Sequence, residues 1–181
     1  PVPFKHLKKV LHVADLHIRL FKRHKEYRES LDTLFNTWSK QDLTDTIIVV
    51  AGDIVHSKTD LSPEMVDLAT YFLRRCADIA PTLVIAGNHD MNLANTNRLD
   101  ALSPICDSIQ NPNLHYLKYS GIYRVADIDF TVWSLLGDKA DWPTYTDSSS
   151  ATKIALFHGP IDKATTDVGY VVSNRSMEVS V

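Results

Sequence analysis

Cysteine is scarce in this sequence: Cys76 and Cys106 are the only two among 181 residues, and neither belongs to a C-x-x-C pair. That argues against a disulfide framework or a thiolate zinc site and makes a reduced, intracellular (cytoplasmic) setting the expectation. Cys76 continues the apolar series Met65, Leu68, Ala69, Phe72 and Leu73, so its expected role is core packing. No run approaches the ~18 apolar residues of a membrane-spanning helix. A signal-peptide pattern is also absent, so no membrane partner is expected. There is no cationic excess: 19 Lys and Arg stand against 22 Asp and Glu, a net charge of −3. This disfavours a generally basic nucleic-acid wrapper but leaves local phosphate binding open, because bound metals can supply positive charge. What remains is the 44% hydrophobic, 23% charged profile of an ordinary globular chain, long enough for one domain over 1–181. The sequence opens on Pro1 rather than Met, so its natural start is expected to lie upstream.

The first half reads βαβαβ. Val10 to Val13 is a first strand, and 25–40 is helical with Tyr27, Leu31, Leu34, Phe35 and Trp38 on one stripe. Thr46 to Ala51 (TIIVVA) is a short β-branched run suited to a strand buried on both faces. Ser62-Pro63 supplies an N-cap and a first-turn proline for a helix running to about Ala77. Thr82 to Ala86 is a third strand, and a weaker helix over 98–109 starts or breaks near Ser103-Pro104. After Asn111-Pro112 the texture turns to short strands at 114–117, 122–125 and 130–135. A polar loop follows over 138–150, and then a buried strand at 153–157. The stretch 167–181 has no strong terminator. A parallel half followed by a β-rich half suits a layered α/β domain with two packed sheets.

Chemistry-bearing runs follow these strands: Asp15-Leu16-His17, Gly52-Asp53 with His56, Gly87-Asn88-His89-Asp90, and His158-Gly159. In α/β sheets, ligand sites collect outside the carboxyl ends of strands, so these side chains are expected to converge. Asp15 and His17 are two apart and, in extended backbone, share a face. Asp53 lies 38 residues after Asp15 and Asn88 lies 35 after Asp53, each gap fitting a helix plus a strand. Asp53 is the natural bridging carboxylate for two cations, and Gly52 and Gly87 permit the tight turns that aim the ligands. Imidazole, carboxylate and amide oxygen together favour Mn²⁺, Fe²⁺ or Zn²⁺. Two such ions can hold a phosphate, lower the pKa of a bound water and direct in-line attack. His89, beside Asn88 but pointing elsewhere, is the expected acid for the leaving oxygen.

Each run alone has a plainer reading: Gly-Asp is often a turn, and Asn-His-Asp often caps a helix. Their joint order after successive strands favours the metal reading. The other histidines carry less. His6 and His24 lie among basic residues on an expected solvated surface. His12 is expected in the core or supporting the ligands, and His115 is expected to be structural. His56, three residues beyond Asp53, should overhang the site.

At these residues the chain resembles the calcineurin-like metallophosphoesterase superfamily, with its pattern D-x-H, G-D, G-N-H-[DE] and later histidines. More narrowly, Gly52-Asp-Ile-Val-His56-Ser57 through Leu61-Ser-Pro-Glu64, with Leu11-His12-Val-Ala-Asp15-Leu-His17, is similar to the SbcD-type nucleases of double-strand-break repair. The resemblance covers about 10–160. It implies a four-layer α/β/β/α sandwich and two divalent metals, with Mn²⁺ the first expectation. Asp15, His17 and Asp53 would hold one metal, and Asp53, Asn88 and His158 the other. It also implies His89 as the catalytic histidine and His56 as a contact to the scissile phosphate. The implied partners are DNA, an SbcC-like ATPase and a second copy of the chain, meeting through helices near 63–77 and 98–109. The protein-phosphatase form G-D-x-V-D-R-G is not present, which disfavours Ser/Thr phosphatase activity.

Two departures shape the expectations. Ile18-Arg19 replaces the glycine usual after D-x-H, and no histidine follows His158 to supply the family's final G-H-x-H ligands. The domain is therefore expected to be truncated, weak in metal binding and low in activity. The leading reading is a Mn²⁺-dependent DNA nuclease, with Arg19, Lys22, Arg23, His24, Lys25 and Arg28 available to track a phosphate backbone. The alternatives are a small-molecule phosphodiesterase or phosphatase of the same superfamily, and a catalytically reduced interaction module.

Overall fold

Thr46–Ala51, almost wholly β-branched, is buried at every position and forms the second strand of the first sheet. The computed structural model describes residues 2–95, 97–144, 147, 149–150, 152–161, 164–165, 167–169 and 171. In chain order the elements are β1 (Lys9–Val13), α1 (His24–Trp38), β2 (Thr46–Ala51), α2 (Pro63–Ile79), β3 (Thr82–Ile85), α3 (Leu102–Ser108), β4 (Leu114–Tyr116), β5 (Gly121–Val125), β6 (Ile128–Val132), a 3-10 turn (Lys139–Asp141) and β7 (Thr152–Leu156). Strands β1-β2-β3-β4 form a parallel sheet in that order, and β5-β6-β7 form a second sheet with β6 and β7 parallel. Parallel neighbours need crossovers, and α1, α2 and α3 supply them.

Alternation within β2 divides the core. Ile48 and Val50 face the helices with Phe35, Met65, Leu68, Phe72 and Leu73, while Ile47 and Val49 face the second sheet with Phe130, Val132 and Leu156. Fully burying each such side chain is worth ~1.5–3 kcal/mol, so both faces of β2 hold the layers together. The described residues build a helical layer and two sheets of an α/β metallophosphoesterase architecture. The fourth, outer helical layer is not among the described residues. No helix among them is long and apolar enough to cross a membrane.

Several boundaries differ from expectation for local reasons. α3 starts at Leu102 because the buried Asp100 carboxylate accepts from Leu102 N at 3.0 Å and Ser103 N at 2.7 Å. β6 stops at Val132 because Ser134 turns the chain: its hydroxyl donates to Lys118 O at 2.7 Å and accepts from Leu136 N at 3.0 Å. Leu135 and Leu136 then pack on the helical side. β7 is mostly unburied rather than a core strand, since its described pairing is with β6 alone. His12 is exposed, not core: β1 is the sheet edge, and the second sheet leaves that face of it uncovered. The polar stretch 138–150 contains the 3-10 turn, and Trp142 stacks on Trp133 at 6.1 Å. The expected tail at 167–181 lies outside the described residues except for 167–169 and 171.

Candidate metal centre

Each of the first three parallel strands ends in a turn, and the turns after β1 and β2 are joined by backbone hydrogen bonds. Asp15 N donates to Gly52 O at 3.1 Å, His17 N to Asp53 O at 2.9 Å and Ile18 N to Ile54 O at 2.9 Å. These bonds bring Asp15, His17 and Asp53 to one place. Asp15, His17 and Asp53 all have left-handed backbones, with φ of 58°, 49° and 53°. The expected extended Asp15–His17 geometry is therefore wrong, although both side chains still enter the cluster. Non-glycine residues in this region cost ~1–3 kcal/mol each and persist where the surroundings fix them, often at functional sites.

Asp53 is the centre. Its Oδ2 lies 3.4 Å from His17 Nε2 and 3.2 Å from His158 Nε2. Asp15 Oδ1 lies 3.6 Å from His17 Nε2 and 3.9 Å from His158 Nε2. Donors that share one ion at ~2.0–2.2 Å sit roughly 3–3.5 Å apart, so the two Asp53 distances fit cation ligation, with Asp15 slightly farther out. The other carboxylate oxygen of Asp53 accepts from His89 N at 2.9 Å. Burial alone raises the Asp53 pKa, but the His158 ring and the His89 N–H more than offset it and hold it below the usual carboxylate range. Asp53 therefore stays anionic.

His158 arrives from the second sheet, just past β7. Its Nδ1 bonds to Ala51 O at 2.6 Å, which fixes the ring and turns Nε2 towards Asp53. Such a backbone bond on one ring nitrogen sets the other for a metal. Without a metal, the Asp53 carboxylate raises His158 to about 9 against the lowering effect of burial. His89 is fixed likewise, Nδ1 to His56 O at 2.7 Å. The His17 ring lies 4.8 Å from that of His89 and 5.6 Å from that of His56, and donor atoms of all three approach within 4.8 Å of one another. Nδ1 of both His17 and His56 is buried without a partner in the described structure. Burial, followed by the charges of Arg19, His17 and His89, holds His56 below its ordinary value. Two orphaned imidazole nitrogens within this histidine trio fit a polar ligand or cation better than an apolar core does.

Asn88 is half-buried in the turn after β3, between two residues that touch Asp53. Gly87 has an ordinary φ, so its expected role in a tight turn is corrected to one of space. A β-carbon there would stand 2.5 Å from Asp53 N and nearer still to Asp53 Oδ1. Gly52 answers both needs, with φ 86° and a β-carbon position 2.5 Å from the His158 ring. The structure thus gathers Asp15, His17, Asp53, His56, His89 and His158, with Asn88 in the adjoining turn. It leaves His6 on Asp127 at 2.9 Å, His24 on the Arg19 carbonyl, and His115 on β4, away from the cluster.

Sequence reasoning assigned no role to Asp90, the last residue of the Gly-Asn-His-Asp run. It is fully buried; one carboxylate oxygen accepts from Val55 N at 3.0 Å and the other from Gly87 N at 2.9 Å. It clamps the β2 loop to the β3 loop. Burial is the main force raising its pKa to about 6, against those two N–H groups. The signal available was an acid in a motif whose Asn88 and His89 already had expected roles.

Uncharacterized protein R555 of Acanthamoeba polyphaga mimivirus is 43% identical over 183 residues, an alignment covering 94% of this chain and 13% of that protein. Residues 8–179, which carry every side chain of the cluster, match the calcineurin-like phosphoesterase family, to which this chain belongs.

Proposed function

We propose that the chain is a metal-dependent DNA nuclease of the SbcD-type branch, hydrolysing phosphodiester bonds in repair or recombination. The observation that carries the hydrolytic reading is the single oxygen Asp53 Oδ2 set between His17 Nε2 and His158 Nε2, at 3.4 and 3.2 Å. In this reading Asp15, His17 and Asp53 hold one ion, and Asp53, Asn88 and His158 hold the second. Bound divalent ions, Mn²⁺ foremost with Fe²⁺ or Zn²⁺ as alternatives, supply a polarised phosphate and an activated water. Asp53 keeps its negative charge for both positions. His89, steadied through Nδ1 by the His56 carbonyl, offers Nε2 to protonate the leaving oxygen. His56 orients the phosphate from the same side. The nuclease branch is supported by His56 standing where protein phosphatases carry the Asp-Arg-Gly of their motif.

A DNA strand, an SbcC-like ATPase and a second copy through 63–77 and 98–109 are the partners this reading brings. The chain matches only 13% of its viral relative's length. The buried side of α2 is already committed to the core, through Met65, Leu68, Phe72 and Leu73. A dimer would therefore use its outer face.

The test is Mn²⁺-dependent cleavage of linear duplex and single-stranded DNA by the wild type and His89→Ala. The expected result is cleavage that falls by ~10²–10⁴ in the variant. Uncut DNA beside efficient hydrolysis of mononucleotide diesters would replace this reading with the small-molecule phosphodiesterase.

A further inference from the structure

Just beyond His17 the chain makes a basic loop, Ile18-Arg-Leu-Phe-Lys-Arg23, that the metal centre does not use. Its backbone is held from several elements. His17 O accepts from the Tyr27 hydroxyl at 2.9 Å and Ile18 O from His56 N at 3.0 Å. Arg19 O is bonded by the His24 ring, and Leu20 O accepts from Ser62 Oγ at 2.6 Å. Ile18 is 1% exposed and anchors the loop in the core. With four consecutive carbonyls engaged, the loop is fixed, yet it presents Phe21 to solvent at 72% exposure.

One cavity is lined by that ring, and a second, which shares Arg19 and Lys22 with it, lies beside it. The first, of about 220 Å³, is lined by Phe21, Arg19, His56, Ser57 and Asp60 among others. The second, of about 500 Å³, is lined by Arg19, Lys22, Arg23, Glu26 and Tyr27. Among the described residues no ion pair engages Arg19 or Lys22. Arg23 faces Glu26 at 3.9 Å, Lys25 faces Glu29 at 3.8 Å and Arg28 is bonded to Asp67 at 3.0 Å. The available cations are thus the two that border both cavities.

We propose that Phe21 is a stacking platform for one unpaired nucleobase of a single-stranded polynucleotide entering the metal centre, with Arg19 and Lys22 holding the adjoining phosphates. The inference rests on the nuclease reading above and adds a substrate form to it. An aromatic face accepts any base by stacking, whereas a duplex keeps its base faces covered. The smaller cavity lies below the ~300–1,000 Å³ of sites for drug-sized ligands, which leaves room for one ring system. Asp60, bonded to Ser57 Oγ at 3.2 Å, puts negative charge in that cavity. It can accept from a base amino group there, while the second cavity adds Arg23 to Arg19 and Lys22 and so favours the phosphates. His56 lines the base cavity and also belongs to the histidine trio of the centre, so the platform adjoins the reacting atoms.

The test measures binding of single-stranded oligonucleotides with 2-aminopurine at either end, using Ca²⁺ in place of Mn²⁺ to suppress cleavage. Wild type and Phe21→Trp are expected to quench the terminal reporter. Phe21→Leu, which keeps apolar bulk at an exposed position, is expected to lose the quench and bind about 5- to 140-fold more weakly. Arg19→Ala and Lys22→Ala should each flatten the salt dependence, by roughly 0.7 in log–log slope for each phosphate that the side chain neutralises. Equal quenching and affinity in Phe21→Leu would overturn the platform alone and leave the nuclease reading intact. An equal loss on blunt duplex would overturn the assignment to an unpaired base. Wild-type protein that binds no polynucleotide, or whose Phe21-dependent binding is to phosphatidylserine vesicles instead, would overturn both readings.

Discussion

Asp15, His17 and Asp53 occupy left-handed backbone positions, and Gly87 is small so that Asp53 can sit against it. At the scale of single residues the centre is therefore set by backbone as much as by side-chain type. Gly87→Ala is expected to push the Asp53 carboxylate aside and lower Mn²⁺ affinity at least about tenfold, read by calorimetric titration. Unchanged affinity would show that Asp53 has room to spare. His158 gives a pH signature in the metal-free protein. Its folded value, about 9, lies above the 6.5 of a free histidine. The bond to Asp53 therefore contributes fully below pH 6.5 and is lost as the pH rises through 9. Metal-free stability should fall across that window, by at most roughly 1.4 kcal/mol per pH unit. His158→Gln should flatten the fall, and so should Mn²⁺, which competes with the proton for Nε2. Thermal melts of the wild type that do not shift between pH 6.5 and 9 would contradict this.

At the scale of elements, the site depends on loops locked to one another. Asp90 spans from Gly87 N to Val55 N and so ties β3 to β2. Asp90→Asn keeps one acceptor and turns an amide N–H₂ on a backbone donor. The expected loss is about 1–3 kcal/mol of stability in denaturant unfolding, with weaker metal binding beside it. An unchanged midpoint would remove Asp90 from this role. The strands that carry the ligands were legible from sequence, because TIIVVA and TLVI are short buried runs ended by Gly-containing turns. The clamp was not, since a fourth motif residue looks the same whether it binds metal or backbone. The left-handed turns were equally hidden: nothing in Asp-Leu-His states that two of its three residues leave the extended region. Phe21 was not singled out in the sequence, because only burial distinguishes a packed ring from a presented one.

At the scale of the whole molecule, two sheets pack face to face through one core, and His158, just past β7, reaches across to bond Ala51 O. The parallel half was legible through its regular alternation of β-branched runs and amphipathic helices. The strands of the second sheet were legible as well. What the sequence hid was exposure at β1 and β7, which carry residues whose types suggest burial. His12 is the example, exposed because the inter-sheet core centres on β2 and β3 rather than β1.

If Asp53 joins two metal positions into one hydrolytic centre, hydrolysis depends on its carboxylate and on added metal. Mn²⁺-dependent hydrolysis of a small chromogenic phosphodiester, by the wild type and Asp53→Asn, tests it most directly. Turnover is expected to need added Mn²⁺, to stop with chelator and to drop to background in the variant. Turnover that survives Asp53→Asn, or that proceeds equally in chelator, would contradict it.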